Sequence, residues 1–227
     1  MKILLGAVAA LLALIAPLPA DDAMARRDWT ATVTRTPAGA FVVGNPKAKV
    51  KLVEYLSLTC GHCAHFSQEA WGPLKAGYIG KGLVSLEIRH ALRDGFDVTA
   101  SLLSVCEGPK GYFDAIETVL AKQGEWALRA NSFQEEGIEA KPMNERMMVF
   151  ARGAGLDLLF AERGMARARM AACLSNAAEQ KLLTAMAQEA WGERKIGGTP
   201  AFLINGVMQE HVASWEALEP RLKAALQ

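Results

Sequence analysis

Cys60-Gly61-His62-Cys63 is the stretch of this sequence with the plainest chemistry: two thiols separated by two residues. A pair at that spacing serves a metal or a reversible disulfide. The metal reading would enlist His62 and His65. Those ligands crowd one helix start, and no second Cys/His pair stands at zinc-finger spacing, so no metal is expected. The redox reading has a nucleophile in Cys60 and a resolving partner in Cys63. Disulfide exchange needs a thiolate, a good leaving group and a sulfur within a partner's reach. An ordinary thiol has a pKa of about 8.5, and motifs of this kind lower it to roughly 3.5–7.5. A helix dipole supplies about 0.3–1 kcal/mol at an exposed site, whereas one pKa unit corresponds to about 1.4 kcal/mol. The dipole by itself is too small. Backbone N–H groups of Gly61 to Cys63 and a protonated His62 are expected to supply the rest. Cys60 should then be an exposed thiol of depressed pKa, the dithiol stable and the disulfide oxidising. Cys63, nearly one helical turn on, should be more buried and should resolve a mixed disulfide by attacking Cys60.

Holding such a pair takes a strand that ends and a helix that begins beside it. Val50, Leu52, Val53, Tyr55, Leu56 and Leu58 leave little polar alternation, so Lys49 to Leu58 reads as a fully buried strand. Helical spacing follows over Ala64 to Ala76; Pro73 kinks it or marks its distal end, and Gly77 to Gly82 closes it. Phe41-Val42-Val43, ended by Gly44-Asn45-Pro46, and the alternating run Leu83 to His90 predict two further strands. Beyond about Asp97 the period becomes helical, over 98–106, 111–122, 145–154, 157–174 and 177–191. Gly197-Gly198-Thr199-Pro200 breaks it. Ala201 to Ile204 predicts a strand, Asn205-Gly206 a hairpin turn, and Ser214 the N-cap of a last helix. The expected architecture is α/β, a small sheet domain interrupted by an all-helical block. Its expected parts are an extended arm at 21–40, the α/β domain at 41–97 and 191–227, and the helical insertion at 98–190.

Hydrophobic residues make up 51% of the chain, which provides for a sizeable core, and 25 basic residues face 24 acidic ones. That balance lacks the basic stripe of a nucleic-acid binder, so no nucleic-acid partner is expected. Lys2, the apolar run Ile3 to Ile15, and Ala16-Pro17-Leu18-Pro19-Ala20 have the pattern of a secretory signal peptide cut after Ala20. Leu18 is an imperfect residue at its position before the cut, so an uncleaved membrane anchor stays as the alternative. Export changes how the four cysteines read. In an oxidising compartment Cys106 and Cys173 suggest a structural disulfide between two helices of the block; the other reading is two independent buried thiols.

From about Phe41 to its end, the chain resembles the DsbA-like thiol–disulfide oxidoreductases of bacteria. Three features carry the resemblance: Val53-Glu54-Tyr55 leading to Cys60-Gly61-His62-Cys63, the segment Gly197-Gly198-Thr199-Pro200-Ala201-Phe202, and the helical block between them. The resemblance implies a thioredoxin fold with an inserted helical domain. It implies that Pro200 is cis and packs on the dithiol, with the backbone of Thr199 pairing to an extended substrate. It makes Glu54 a buried acid that relays the proton of Cys63. The implied partners are reduced exported proteins as substrates and a quinone-linked membrane protein of the DsbB type for reoxidation. No cofactor is implied. The region 21–40 is too short for the N-terminal dimerising domain of dedicated isomerases, which tilts the reading toward the oxidase; a monomer is expected. The inner dipeptide Gly61-His62 departs from the best-known oxidase and is similar to that of protein disulfide isomerase, which leaves the redox poise open.

The expected activity is therefore an exported enzyme that donates its Cys60–Cys63 disulfide to reduced proteins. The alternatives are an isomerase or reductase on the same site, or a non-catalytic chaperone or metal carrier using the same scaffold.

Overall fold

The computed structural model describes residues 28–227; the signal-peptide expectation at 1–20, and the first residues of the arm, lie outside them. Six strands form one mixed sheet: β1 (Val33–Arg35), β2 (Phe41–Gly44), β3 (Val50–Leu56), β4 (Val84–His90), β5 (Ala201–Ile204) and β6 (Val207–Met208), in the order β1-β2-β4-β3-β5-β6. Only β3 and β4 run parallel, with Leu52 opposite Leu86 and Leu56 opposite His90. A parallel pair needs a crossover, and α1 (Gly61–Leu74) supplies it. A π-helical turn, Lys75–Ile79, extends α1 just after Pro73. The helix then ends at Gly82, whose φ of 73° lets Leu83 N–H reach the Tyr78 carbonyl and Gly82 N–H the Ile79 carbonyl. That pair of bonds is a Schellman cap, and a Cβ at Gly82 would stand 2.8 Å from the Trp29 indole. Within the region of the expected arm, Trp29–Ala31 forms a 3-10 turn and β1 pairs with β2 at the sheet edge.

Between β4 and β5 come seven helices: α2 (Gly95–Cys106), α3 (Gly108–Ala121), α4 (Gln123–Ser132), α5 (Met143–Ala154), α6 (Leu156–Glu162), α7 (Arg167–Leu174) and α8 (Ala177–Gln188). The last helix is α9 (Trp215–Ala225), and the Ser214 side chain accepts from Ala217 N–H as an N-cap. The β5–β6 turn is Asn205-Gly206, both at positive φ, 50° and 84°, as a tight hairpin requires.

Two departures from the sequence reading concern this block. The 157–174 stretch is two helices, α6 and α7, because Gly164 takes φ 84° and caps α6: Gly164 N–H bonds to Ala161 O and Met165 N–H to Phe160 O. And α4 occupies 123–132, a stretch that the helical periods leave out. Gly124 is its second residue, where backbone N–H groups have no helical acceptor in any case, and burial of Trp126 and Ala130 holds the helix in place.

The strand period decides which side chains meet which layer. On one face of β3, Leu52, Glu54 and Leu56 point toward α1 and α3; Phe41 of β2 stacks there on Tyr112 of α3, ring centroids 4.2 Å apart. On the other face, Val53, Tyr55 and Leu203 pack with Ala190 and Ile196. Cys106 at the end of α2 and Cys173 in α7 are joined in a disulfide, Cα atoms 5.9 Å apart, which ties two helices of the block together.

Candidate active site

Cys60 is the N-cap of α1, with φ −87° and ψ 117°, and its carbonyl accepts from Cys63 N–H at 3.1 Å and Ala64 N–H at 3.2 Å. The helix therefore begins at Gly61, three residues earlier than its apolar periodicity indicates. This places the sulfur of Cys60 in front of the first-turn N–H groups. Cys60 and Cys63 are both free thiols. A hydrogen bond from the Cys63 thiol is the main cause that lowers Cys60, to about 4. Burial opposes it, and the Thr199 side chain and the backbone N–H groups of Cys63 and His62 add to it. Burial pushes Cys63 the other way, well above an ordinary thiol, with the bond to Cys60 and the Glu54 charge adding to it. One thiol is a stable anion and leaving group, while its neighbour keeps its proton.

The expected exposure of Cys60 is not what the fold provides: the residue is only 4% exposed. The Thr199-Pro200 peptide, which is cis, runs across it, and in its protonated form the Cys60 thiol donates to the Thr199 carbonyl at 3.2 Å. Beside that loop lies a groove lined by His62, Arg194, Thr199, Pro200, Gln209 and Val212. His62 is exposed at its edge, and its backbone N–H, rather than its ring, acts on Cys60. His65 also faces solvent, with Nδ1 3.3 Å from Glu69 Oε1. Among the described residues no group of three or more His, Cys, Asp or Glu is placed to hold a metal.

Glu54 is buried on β3, and burial pushes its carboxyl up to about 8. It lines a cavity between the sheet, α1 and α3 whose walls include Phe66, Trp71 and Phe113, with Ser67 and Glu117 as the other polar side chains. Once Glu54 ionises, its charge adds to what raises the Cys63 thiol.

Three residues that the sequence did not single out hold the turn before the dithiol. Asp97 of α2 accepts from Ser57 Oγ at 2.6 Å, Leu58 N–H at 2.9 Å and Arg93 N–H at 3.1 Å; burial raises its carboxyl to about 7. Asp94 caps α2 at Asp97 N–H and accepts from Thr59 Oγ1, both at 2.9 Å. Gln123 of α4 donates to the carbonyls of Leu58 at 2.7 Å and Cys60 at 3.0 Å. Asp94-Gly95-Phe96-Asp97 carries a helix-start signal that could have marked the two acids. Nothing local marks Gln123.

A parallel strand–helix–strand unit, a dithiol at the helix start, a cis-proline loop across it and a helical insertion together define a thioredoxin-fold protein of the DsbA-like shape. The chain belongs to the thioredoxin family: the family model described as Thioredoxin matches residues 36–224. Among solved structures it is similar to a protein-disulfide isomerase from Novosphingobium aromaticivorans, 32% identical with a TM-score of 0.77, covering 83% of this chain and 97% of that one. It shares its fold with alpha-DsbA1 of Wolbachia pipientis, at 21% identity and a TM-score of 0.62, over 94% of each chain. Proteins of Rickettsia conorii and Rickettsia typhi that bear the provisional name protein-disulfide oxidoreductase are each 27% identical, over 74% and 75% of this chain and 53% and 56% of theirs. The chain thus spans about half the length of the curated relatives it matches.

Proposed function

We propose that this protein is an exported, periplasmic thiol–disulfide oxidoreductase that introduces disulfides into reduced proteins. The observation that carries the reading is the opposed chemistry of its two thiols, Cys60 lowered to about 4 and Cys63 raised. A substrate thiolate attacks the Cys60 sulfur of the disulfide; the Cys60–Cys63 bond breaks, and Cys63 leaves with the electron pair and takes a proton, for which Glu54 is the donor. A second substrate thiolate then attacks the substrate sulfur of the mixed disulfide. Cys60 departs as a thiolate, the substrate is oxidised and the enzyme is left as the dithiol. Because that thiolate is a stable leaving group, the equilibrium favours transfer to the substrate. The backbone of Thr199 beside cis-Pro200 is the edge that would pair with an extended substrate.

Turnover then requires removal of two electrons from the dithiol, which we assign to a DsbB-type quinone-linked membrane partner. Cys63→Ala should accumulate mixed disulfides on Cys60 that mass spectrometry identifies, naming both clients and the reoxidising partner. Cys60→Ser should lose oxidation of a reduced test protein; a chaperone would instead keep suppressing aggregation. N-terminal sequencing of the exported protein checks cleavage after Ala20.

A second reading, isomerase or reductase, is favoured by Gly61-His62 and by the name of the Novosphingobium relative. The redox potential separates the two. Oxidases of the DsbA kind lie near −120 mV and isomerase sites near −180 mV, a gap of about 60 mV or roughly 2.8 kcal/mol. A potential at the upper value supports the oxidase.

A further inference from the structure

We propose that Gln123 is a positioning residue for the dithiol: its carboxamide clips the carbonyls of Leu58 and Cys60, and through it the helical insertion sets how strongly the Cys60–Cys63 disulfide oxidises thiols. The inference rests on the oxidoreductase reading of that pair.

Gln123 is the first residue of α4 and is 7% exposed, yet it belongs to neither the strand nor the helix that carries the cysteines. Both N–H groups of one side-chain nitrogen are committed, at 2.7 Å and 3.0 Å, to acceptors two residues apart in the catalytic turn. Its oxygen lies 3.9 Å from where a Cβ on Gly61 would stand, so the whole carboxamide lies along the dithiol turn. The Cys60 carbonyl that it holds is also the acceptor for Cys63 and Ala64 N–H, the bonds that start α1. Its direction fixes the orientation of the first helical turn, and that turn carries the His62 and Cys63 N–H groups facing the Cys60 sulfur. Asp97 and Asp94, at the start of α2, hold other groups of the same segment through Ser57, Leu58 and Thr59. The turn is thus clamped between α2 and α4. Without the Gln123 donors one jaw opens, two buried carbonyls lose a partner, and the turn can rotate so that its N–H groups meet the sulfur less well. The thiolate is then less stable and the disulfide a weaker oxidant.

The test is Gln123→Met, which keeps side-chain length and packing but removes both donors. The readout is the equilibrium of the protein disulfide plus two glutathione thiols with the protein dithiol plus glutathione disulfide. A loss of one hydrogen bond's worth of thiolate stabilisation, about 1 kcal/mol, lowers this constant about fivefold. The thiolate absorbance of Cys60 should titrate at a higher pH in the same variant. A folded variant whose constant and titration match those of the wild type would overturn the clip, because a residue that only packs would change thermal stability and neither redox readout. Should Gln123→Met not fold, the side-chain amide protons of Gln123 in the wild type decide. Slow solvent exchange and a shift between oxidised and reduced protein are expected; free exchange would overturn the proposal. Failure of the wild type itself to equilibrate with glutathione would instead remove the oxidoreductase reading.

Discussion

Cys60 and Glu54 titrate in opposite senses, and each makes a separable prediction about stability. In the reduced protein Cys60 is lowered from 9.0 to about 4, mainly by the Cys63 thiol. Between those values the unfolded chain holds the proton and the folded one does not, so raising the pH favours folding. Relative to Cys60→Ala, the reduced protein should therefore gain stability from about pH 4 up to about pH 9 and lose it on acidification, as urea melts across that range would show. Glu54 is raised by burial from 4.5 to about 8, so the folded state keeps a proton that the unfolded state releases, and stability falls as pH rises across that window. Glu54→Gln should consequently be more stable than the wild type at pH 8, by on the order of a few kcal/mol. If Glu54 donates to Cys63, stopped-flow measurement of substrate oxidation should show the same variant slowed. His90 shows what a buried titratable group without a redox task looks like: Ser101 and Tyr112 meet its two ring nitrogens at 2.9 Å and 2.8 Å, and burial holds it near 3 as a neutral ring.

Among the elements, α2 is the one whose start most directly supports the dithiol turn, since Asp94 caps it and Asp97 lies in its first turn. Gly95, between them, packs against the Phe150 ring, where an added Cβ would come to 2.5 Å. Gly95→Ala should therefore destabilise the fold by about 1–3 kcal/mol, through overpacking, as thermal unfolding would register. The strand–helix junction at Cys60, the Asn205-Gly206 hairpin and the Ser214 cap were legible from local chemistry, because each depends on residues within one turn of the chain. The α6–α7 break was less so: Gly164 was one glycine among 20, and only the bonds it closes show that a helix ends there. The start of α4 was hidden because Gly124 has poor helix propensity and the burial of Trp126, a tertiary effect, decides the outcome.

At the scale of the whole molecule, the Cys106–Cys173 bridge closes a loop of 67 residues within the helical block. The loop-entropy relation assigns such a closure roughly 4 kcal/mol. The double variant Cys106→Ala/Cys173→Ala should lose about that much in urea denaturation while its Cys60–Cys63 pair still exchanges with glutathione. The sequence by itself determined the α/β class, the dithiol at a strand–helix junction and the order of the strands around a helical block, though not every helix within it, because periodicity, turn residues and thiol spacing are local quantities. Tertiary structure alone decided that the Thr199 carbonyl covers Cys60, that Glu54 faces a cavity rather than water, and that Asp97 and Gln123 meet at the same turn from two different helices. Those contacts join residues 139, 39 and 65 positions apart, and no local pattern encodes which distant groups a folded chain brings within hydrogen-bonding distance.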